Sequence, residues 1–354
     1  MNFLPDASLL SKWGSARQPF FALVSFEGQI AATTLAKTIA DSGNSAYSGI
    51  LLADYALHFR GFGASPKLGP HSFAAVPPEP PAAIENQGYA APAAEIHNTP
   101  PIRVIRAPDQ QQVAAAIDGL QTEMRAGRSY LVNYCSQTGV ELSETPAALF
   151  ARSTAPFTVW LENQFICFSP EAFITVVGDT IFTTPMKGTG RDREALLADA
   201  KEQAEHATVV DLLRNDLGQV ATGVRIDDYR YVSRIERDSG PLYQTSTRIS
   251  GTLPADWREH LGDWLPRLLP AGSISGAPKQ ETLRLIRQYE TEPRGFFTGV
   301  AVLFDGENLQ SAVLIRFLEL TAEHVKFRSG AGLTIYSDAA AEYEEILSKV
   351  YIPL

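Results

Sequence analysis

Lys187 has the most unusual chemical setting in this sequence. It lies between Pro185-Met186 and the glycine turn Gly188-Thr189-Gly190. Burial among apolar neighbours lowers the pKa of a lysine, and the neutral amine is then available as a nucleophile. A solvated lysine in a surface turn is the alternative, and the local sequence alone favours it because most lysines are solvated.

Two groups of glutamates have the spacing of cation ligands. Glu202 and Glu205 are three residues apart, so they share one face of a predicted helix that continues into an apolar segment. Carboxylates entering a buried helix need a partner, and a hard cation is a natural one. An exposed first turn whose acids favour the helix dipole is the alternative, and both stay open. Glu342, Glu345 and Lys349 line one face of a second predicted helix, a pattern that is most often a solvated face.

Two small-residue segments allow an anion to approach the backbone closely. Residues 271–279, which include Ser275 and Gly276, open a predicted helix and can present N–H groups to an anion. Gly330 and Gly332 follow a predicted strand, and two glycines separated by one residue let a ligand approach. Each signal is weak alone, because glycine-rich loops are common and a tight turn explains the second pair.

The spacing of apolar residues predicts the elements that must position these side chains. Asp109 begins a helix in which Val113, Ile117, Leu120 and Met124 recur at helical spacing. Further helices are predicted over residues 193–214, after residue 277 and over residues 339–350. Strands are predicted over residues 20–24, 50–52, 130–134, 157–161, 165–168, 173–177, 299–304, 311–318 and 324–328. Many antiparallel-type strands with a few helices indicate an α+β fold.

Composition limits the class of protein. The 354 residues are 45% hydrophobic and 20% charged, which is ordinary for a soluble globular protein. Only Cys135 and Cys167 are present, far apart, which argues against a disulfide framework or zinc site and favours a reducing compartment. No signal-peptide pattern or membrane-spanning run is found, so we expect a cytoplasmic protein. The net charge of −10 makes nucleic acid or an anionic membrane a poor partner.

The first hundred residues differ in character from the rest. Nine prolines fall between residues 65 and 101, and proline blocks helix and removes backbone donors. We therefore expect residues 1–101 to form a sheet portion with an extended proline-rich connection, within the same fold. Residues 102–354 are expected to form the catalytic region.

The order of these segments resembles that of the chorismate-utilising enzymes, from about Ile102 to the C-terminus. The resemblance implies one large α+β domain, in which two antiparallel sheets pack face to face with helices outside and the site in a deep cleft. The matching blocks are Ser169-Pro170-Glu171, Pro185-Met186-Lys187-Gly188-Thr189, Ala204-Glu205-His206, residues 211–216, residues 272–279, Ile315-Arg316 and Gly330-Ala331-Gly332.

The resemblance also implies ligands. Glu205, Glu342 and Glu345 would bind Mg²⁺, with Glu202 in or near the shell, and the ion would hold one carboxylate of chorismate. The other carboxylate would meet a second group of residues. Arginine suits this role because its planar fork grips a carboxylate with two hydrogen bonds. The residues implied in substrate binding are Arg316, Lys349, Gly330, Gly332, Ser275, Gly276 and Thr189.

Residue 187 separates the branches of the family. Aminodeoxychorismate synthases carry lysine there, and anthranilate synthases typically carry alanine. The resemblance implies that Lys187 attacks ring carbon 2 while Glu171 protonates the departing 4-hydroxyl, after which ammonia adds at carbon 4. Ammonia would come from a separate glutamine amidotransferase subunit, and the product would lead to 4-aminobenzoate and folate. An anthranilate synthase component I and a non-catalytic chorismate-binding or scaffold subunit are the alternatives.

Three positions depart from the family pattern. Leu131 stands where isochorismate and salicylate synthases carry the lysine that activates water, which argues against that branch. Gln244 replaces a histidine of many relatives, and it can hydrogen-bond but cannot carry charge. Phe297 replaces a tyrosine that faces the substrate in some relatives. We therefore expect differences in the polar details of the pocket, within the same reaction class.

Overall fold

The computed structural model describes residues 7–35, 46–52, 55–62, 100–235, 241–321 and 324–354. The strands in these ranges, in chain order, are β1 (Phe20–Val24), β2 (Ile30–Thr34), β3 (Ala46–Leu52), β4 (Tyr55–Arg60), β5 (Ile102–Arg106), β6 (Leu131–Leu142), β7 (Phe157–Leu161), β8 (Phe165–Ser169), β9 (Ala172–Val177), β10 (Thr180–Thr183), β11 (Met186–Gly190), β12 (Thr222–Ile235), β13 (Leu242–Thr252), β14 (Gly276–Ala277), β15 (Val300–Phe304), β16 (Leu309–Val313), β17 (Phe317–Leu320) and β18 (Val325–Leu333).

The helices are fewer than the strands in the described ranges. In the same ranges they are α1 (Ser8–Ser15), α2 (Gln110–Arg125), α3 (Pro146–Arg152), α4 (Arg193–Ala198), α5 (Ala200–Gly218), α6 (Leu261–Trp264), α7 (Gly272–Ser275), α8 (Lys279–Tyr289) and α9 (Ala339–Ser348). A 3₁₀ turn over Leu265–Leu268 follows α6.

The described strands form two antiparallel sheets of nine strands each. The first has the order β11-β13-β10-β9-β16-β15-β1-β2, with β12 beside β13. The second has the order β14-β6-β18-β17-β8-β7-β4-β3, with β5 beside β6. β1 and β2 therefore lie in one sheet and β3 and β4 in the other, so the N-terminal strands contribute to both layers.

Alternation along β1 shows how the layers are held together. Phe21 and Leu23 pack in one core cluster with Phe59 and Val159 of the second sheet. Phe20 faces the opposite side, in a cluster that contains helical side chains. Successive side chains of a strand point to opposite faces, so one apolar strand serves both the inter-sheet core and the helical layer. The expected α+β fold of two packed antiparallel sheets with helices outside is confirmed.

The helix predicted from Asp109 is present, and the Asp109 side chain caps it by accepting from the backbone N–H of Gln112 at 3.0 Å. The single helix predicted over residues 193–214 is wrong. It breaks at Asp199, which has extended backbone angles and caps α5 by accepting from the N–H of Glu202 at 3.0 Å. A side-chain acceptor that satisfies the first free N–H groups makes a new helix start favourable.

The strand predicted over residues 311–318 is also divided. Arg316 has φ of 55° and separates β16 from β17, because a left-handed residue cannot continue a strand. The long hairpin of β12 and β13 was not predicted. Residues 65–99 of the proline-rich segment lie outside the described residues. No described helix has the length and apolar character needed to cross a membrane.

Candidate functional site

Lys187 lies on β11, at the edge of the first sheet. The pairing of β11 with β13 shifts between Met186 and Thr189, and Gly188 has φ of 85°, so the strand bulges beside the lysine. Thr245 of β13 donates its hydroxyl to the backbone carbonyl of Lys187. The strand thereby fixes the Lys187 backbone, and its side chain extends to α5.

Carboxylates surround the Lys187 amine. Nζ donates to Oε2 of Glu205 at 2.8 Å, and about a third of the lysine side chain is exposed. Burial lowers the pKa of Lys187, but Glu205, by its charge and hydrogen bond, and the charges of Glu202 and Glu345 raise it more. The net pKa is above the ordinary value. The expectation that the pKa of Lys187 lies below its ordinary value is therefore wrong for this structure, because the acids outweigh the effect of burial.

The predicted metal ligands come from two helices. Glu202 and Glu205 lie on α5, and Glu342 and Glu345 lie on α9. Glu342 is buried, with 6% of its surface exposed. The negative charges of three of these four acids raise the pKa of Lys187, so α5 and α9 converge on one place.

The chemistry of these donors fits magnesium, which prefers carboxylate oxygens. However, the described residues contain no group of three or more His, Cys, Asp or Glu side chains close enough to hold a metal ion. The Lys187 ammonium is the cation that Glu205 contacts in this structure. Magnesium binding by these four glutamates stays a prediction.

Glu171 lies in the short connection between β8 and β9. Its Oε1 accepts from the hydroxyl of Ser273 at 2.7 Å, and its backbone N–H donates to Ser169 Oγ at 3.1 Å. Burial raises the pKa of Glu171, opposed by the Ser273 hydrogen bond and by the charges of Lys187 and Arg316, and the net pKa is above its usual value. A carboxyl that keeps its proton towards neutral pH has the property that a general acid requires.

The segment 271–279 contributes a different residue from those predicted. Ser275 is buried, and its hydroxyl donates to the carbonyl of Ala271 at 2.9 Å. Gly276 has φ of 134°, and a Cβ there would stand 2.0 Å from the carbonyl oxygen of Leu131. These two residues serve backbone packing in this structure. Ser273, which sequence reasoning missed, makes the contact with Glu171. Residues two apart on a helix point about 200° apart, so the two serines face different surroundings.

The two glycines of the Gly330-Ala331-Gly332 block lie within β18, not in a turn, and pair with Cys135 and Asn133 of β6. A Cβ on Gly332 would stand 3.9 Å from Lys187 Nζ. Gly332 therefore keeps the space beside the amine free of a side chain. A Cβ on Gly330 would stand 2.5 Å from the carbonyl oxygen of Tyr134, so close packing alone requires glycine there.

The two predicted cations lie in neighbouring connections. Lys349, at the end of α9, donates from Nζ to the Gly330 carbonyl at 2.6 Å and to Oε1 of Glu345 at 2.7 Å. The Arg316 guanidinium lies 5.0 Å from the centre of the Tyr351 ring, and its charge acts on Glu171. Arg316 thus acts on Glu171, and Lys349 contacts Glu345, whose charge acts on Lys187.

The remaining predicted positions differ in their burial and contacts. Thr189 is exposed and pairs with Gln244, which is half-buried on β13. Leu131 is buried, and its Cδ1 would stand 3.9 Å from a Cβ on Gly332, so an apolar side chain lies in the place of the family's water-activating lysine. Phe297 is buried in the inter-sheet core, with its ring centre 5.9 Å from that of Phe317.

A buried ion pair that was not predicted from the sequence joins two elements that carry site residues. Arg294 and Glu290 form a 2.6 Å contact with side chains only 1% and 6% exposed. Arg294 also donates to the carbonyls of Asn133, at 2.6 Å, and Ile274, at 2.9 Å. The Asn133 amide donates to the Ser273 carbonyl at 3.0 Å. The pair thus connects β6 and α7, the elements that hold the serine beside Glu171.

The sequence is similar to those of known proteins. A family model described as chorismate binding enzyme matches residues 10–354. An uncharacterized PabA-like protein of Haemophilus influenzae is 47% identical over 240 residues, covering 66% of this chain and 73% of that protein. Aminodeoxychorismate synthase component 1 of Bacillus subtilis is 30% identical, covering 67% of this chain and 53% of that protein. Anthranilate synthase component 1 1 of Haloarcula marismortui is 33% identical, covering 68% and 52%.

Solved structures show the same fold. Anthranilate synthase component I from Streptococcus pneumoniae superposes with a TM-score of 0.61 at 25% identity, covering 71% of this chain and 59% of that chain. The menaquinone-specific isochorismate synthase MenF from Escherichia coli gives a TM-score of 0.66 at 16% identity, covering 99% and 82%. The second likeness concerns the fold alone.

Proposed function

Because the chain belongs to the chorismate binding enzyme family, we propose that it is the chorismate-binding component I of an aminodeoxychorismate synthase. It would convert chorismate and ammonia to 4-amino-4-deoxychorismate, a precursor of 4-aminobenzoate and folate. The observation that carries the proposal is the position of Lys187, whose amine lies among the acids of α5 and α9. A lysine at this position is what the family resemblance associates with amination at carbon 4.

The site is suited to a ring with two carboxylates. Arg316, Lys349 and the backbone near Gly332 would bind one carboxylate, because a guanidinium and an ammonium both donate charge-assisted hydrogen bonds. Glu205, Glu342 and Glu345, with Glu202 nearby, would hold Mg²⁺, which when bound supplies positive charge for the other carboxylate.

The proposed reaction proceeds in two displacements. The neutral Lys187 amine forms a bond to ring carbon 2, the ring double bonds shift, and the bond from carbon 4 to its hydroxyl breaks. Glu171 gives its proton to that oxygen, which leaves as water. Ammonia then bonds to carbon 4, the double bonds shift back, and the bond from carbon 2 to Lys187 breaks. The surplus proton of the new amine returns to the Glu171 carboxylate, so chorismate and ammonia give the product and water.

The charges of the site support these roles. Attack requires the unprotonated amine, so Lys187 must first lose a proton. In this structure its Nζ donates a hydrogen bond to Glu205 Oε2, with 2.8 Å between the two atoms. The carboxylates that raise its pKa are the same ones proposed to hold the cation. Glu171 has the opposite requirement, since it must begin protonated, and its raised pKa favours that form.

The test is a product assay on the Lys187→Ala variant. With chorismate, Mg²⁺ and ammonium, the wild-type chain should form 4-amino-4-deoxychorismate. Loss of one well-placed catalytic group commonly costs a factor of about 10²–10⁴, so the variant should be almost inactive. Lys326→Ala is a matched control, because Lys326 lies on β18, pairs with Glu292 and touches none of the proposed ligands. Full activity in Lys187→Ala would refute the nucleophile.

The same assay decides the source of nitrogen. We propose that a separate glutamine amidotransferase subunit supplies ammonia to this chain. The chain alone should then accept ammonium but not glutamine, and glutamine should support product formation once such a subunit is added. Glutamine-dependent product from the chain alone would contradict a separate supplier.

Anthranilate synthesis is a second candidate because the similarity to anthranilate synthases reaches 37% identity over 202 residues. Chromatography of the products separates the two activities, since anthranilate formation also releases pyruvate. A non-catalytic chorismate-binding or scaffold subunit would give neither product. This non-catalytic hypothesis is disfavoured because the chain keeps Glu171, Lys187 and the acids of α5 and α9 in one place.

A further inference from the structure

The segment that follows α9 is anchored on both sides of a tyrosine. Lys349 donates to the Gly330 carbonyl at 2.6 Å on one side. On the other side Ile352 is 7% exposed within a core cluster, and the Pro353 carbonyl accepts from the backbone N–H of Thr154 at 3.0 Å. The position of Tyr351 is therefore set by the contacts of its neighbours, although 45% of its own surface is exposed.

The Tyr351 ring meets the guanidinium of Arg316 at 5.0 Å. Arg316 occupies a constrained position, with φ of 55° and with its carbonyl accepting from the Phe168 N–H at 3.0 Å. Its Nε is buried and, within the described part of the chain, has no hydrogen-bond partner. An aromatic face attracts a guanidinium without using its in-plane donors, so stacking orients the group and leaves those donors for an anion.

We propose that Tyr351 is a positioning residue for the substrate, which holds the guanidinium of Arg316 in the plane that receives a carboxylate. The inference rests on the proposed function, because it takes the ligand to be the chorismate carboxylate assigned to Arg316. Tyr351 itself does not contact the reacting atoms. It acts through the arginine, whose charge already acts on Glu171.

The same segment links Lys349 and Arg316, the two cations that we propose bind one carboxylate of chorismate. The backbone N–H of Tyr351 donates to the carbonyl of Lys349 at 3.0 Å. One tight turn therefore positions two groups. The Lys349 ammonium lies against β18, and the Tyr351 ring lies beside the Arg316 guanidinium. The spacing of the two cations depends on how this turn is anchored, so residues 349–351 would form one wall of the proposed substrate site.

The experiment compares Tyr351→Leu and Tyr351→Phe in chorismate binding, measured by calorimetry, and in steady-state kinetics. Leucine keeps apolar bulk but has no π face, while phenylalanine keeps the ring. Tyr351→Leu should raise Kd and KM for chorismate by about three- to tenfold, with kcat changed less than twofold. Tyr351→Phe should behave as wild type. Because the side chain is half exposed, both variants should keep the wild-type Tm.

A double-mutant cycle tests whether the effect passes through the arginine. In an Arg316→Ala background, Tyr351→Leu should cause no further loss of chorismate affinity. Unchanged affinity of Tyr351→Leu in the wild-type background, or an equal loss in the Arg316→Ala background, would overturn the positioning role alone. Failure of the wild-type chain to bind chorismate would overturn the proposed function and this inference together.

Discussion

In the proposed reaction Lys187 must be unprotonated and Glu171 must be protonated, and the two side chains have different surroundings. Lys187 is surrounded by acids that raise its pKa, whereas Glu171 receives one hydroxyl donor and two cationic neighbours and still has a raised pKa because it is buried. Both groups therefore favour the protonated form in this structure. This suits Glu171 as an acid, and it makes the release of the Lys187 proton a necessary early event of the proposed reaction.

Ser273 provides a test of the Glu171 role. Its hydroxyl stabilises the charged carboxylate at 2.7 Å, and this hydrogen bond lowers the pKa of Glu171. Ser273→Ala should therefore raise that pKa further. Since the acid works only while protonated, the alkaline limb of kcat/KM should move to higher pH. A pH–rate profile measures this shift.

Ser275→Ala is the matched control for that profile. It removes a hydroxyl from the same helix, but one that donates to the Ala271 carbonyl and does not touch Glu171. The alkaline limb should stay in place in this variant. An alkaline limb that stays fixed in Ser273→Ala, or moves to lower pH, would remove Glu171 from the acid role.

Among the secondary-structure elements, β6 and α7 are joined by a buried ion pair. Arg294 and Glu290 connect the backbone of β6 with the end of α7 through the carbonyls of Asn133 and Ile274. Glu290 Oε1 also accepts from the backbone N–H of Cys135 at 2.9 Å. These bonds satisfy polar groups that would otherwise be buried without partners, so the pair fixes the separation of two elements.

Arg294→Ala should lower the free energy of unfolding by about 3–5 kcal/mol, because it leaves Glu290 buried and unpaired. Urea denaturation measures the change. Arg103→Ala is the control, since Arg103 pairs with Glu141 where both side chains are exposed, and it should change stability by less than about 0.5 kcal/mol. Similar effects of the two substitutions would contradict the structural role of the buried pair.

For the whole molecule, the two sheets bring acids of distant segments together. α5 packs near β11 and β13 of the first sheet, and α9 packs against β18 of the second. The place where Glu205 and Glu345 both act on Lys187 therefore exists only when the sheets are assembled. Like charges held together raise the free energy of the fold unless a cation compensates them.

We accordingly expect turnover to depend on magnesium. An excess of chelator should abolish product formation, and added Mg²⁺ should restore it. Calorimetry should show Mg²⁺ binding to the wild-type chain that is weakened in Glu342→Gln, a variant that removes one charge with little change of volume. Undiminished turnover in excess chelator would refute the metal assignment.

The local structure of this protein and the order of its segments could be predicted from the amino-acid sequence. The order of the blocks, the cap of α2 at Asp109 and the apolar runs of β1, β7 and β8 follow from neighbouring residues, because capping and periodicity are local effects. The α+β class was expected from the mixture of predicted strands and helices, and the family was expected from the resemblance of the ordered blocks to those of known enzymes.

Properties that depend on residues distant in the sequence could be found only in the folded structure. The choice of Ser273 over Ser275 as the partner of Glu171 arises from contacts across the fold, as does the burial of the Arg294–Glu290 pair. The direction of the Lys187 pKa shift is the clearest case. Sequence shows that the lysine has apolar neighbours, but a pKa is the balance of desolvation against every nearby charge, and those charges arrive on α5 and α9.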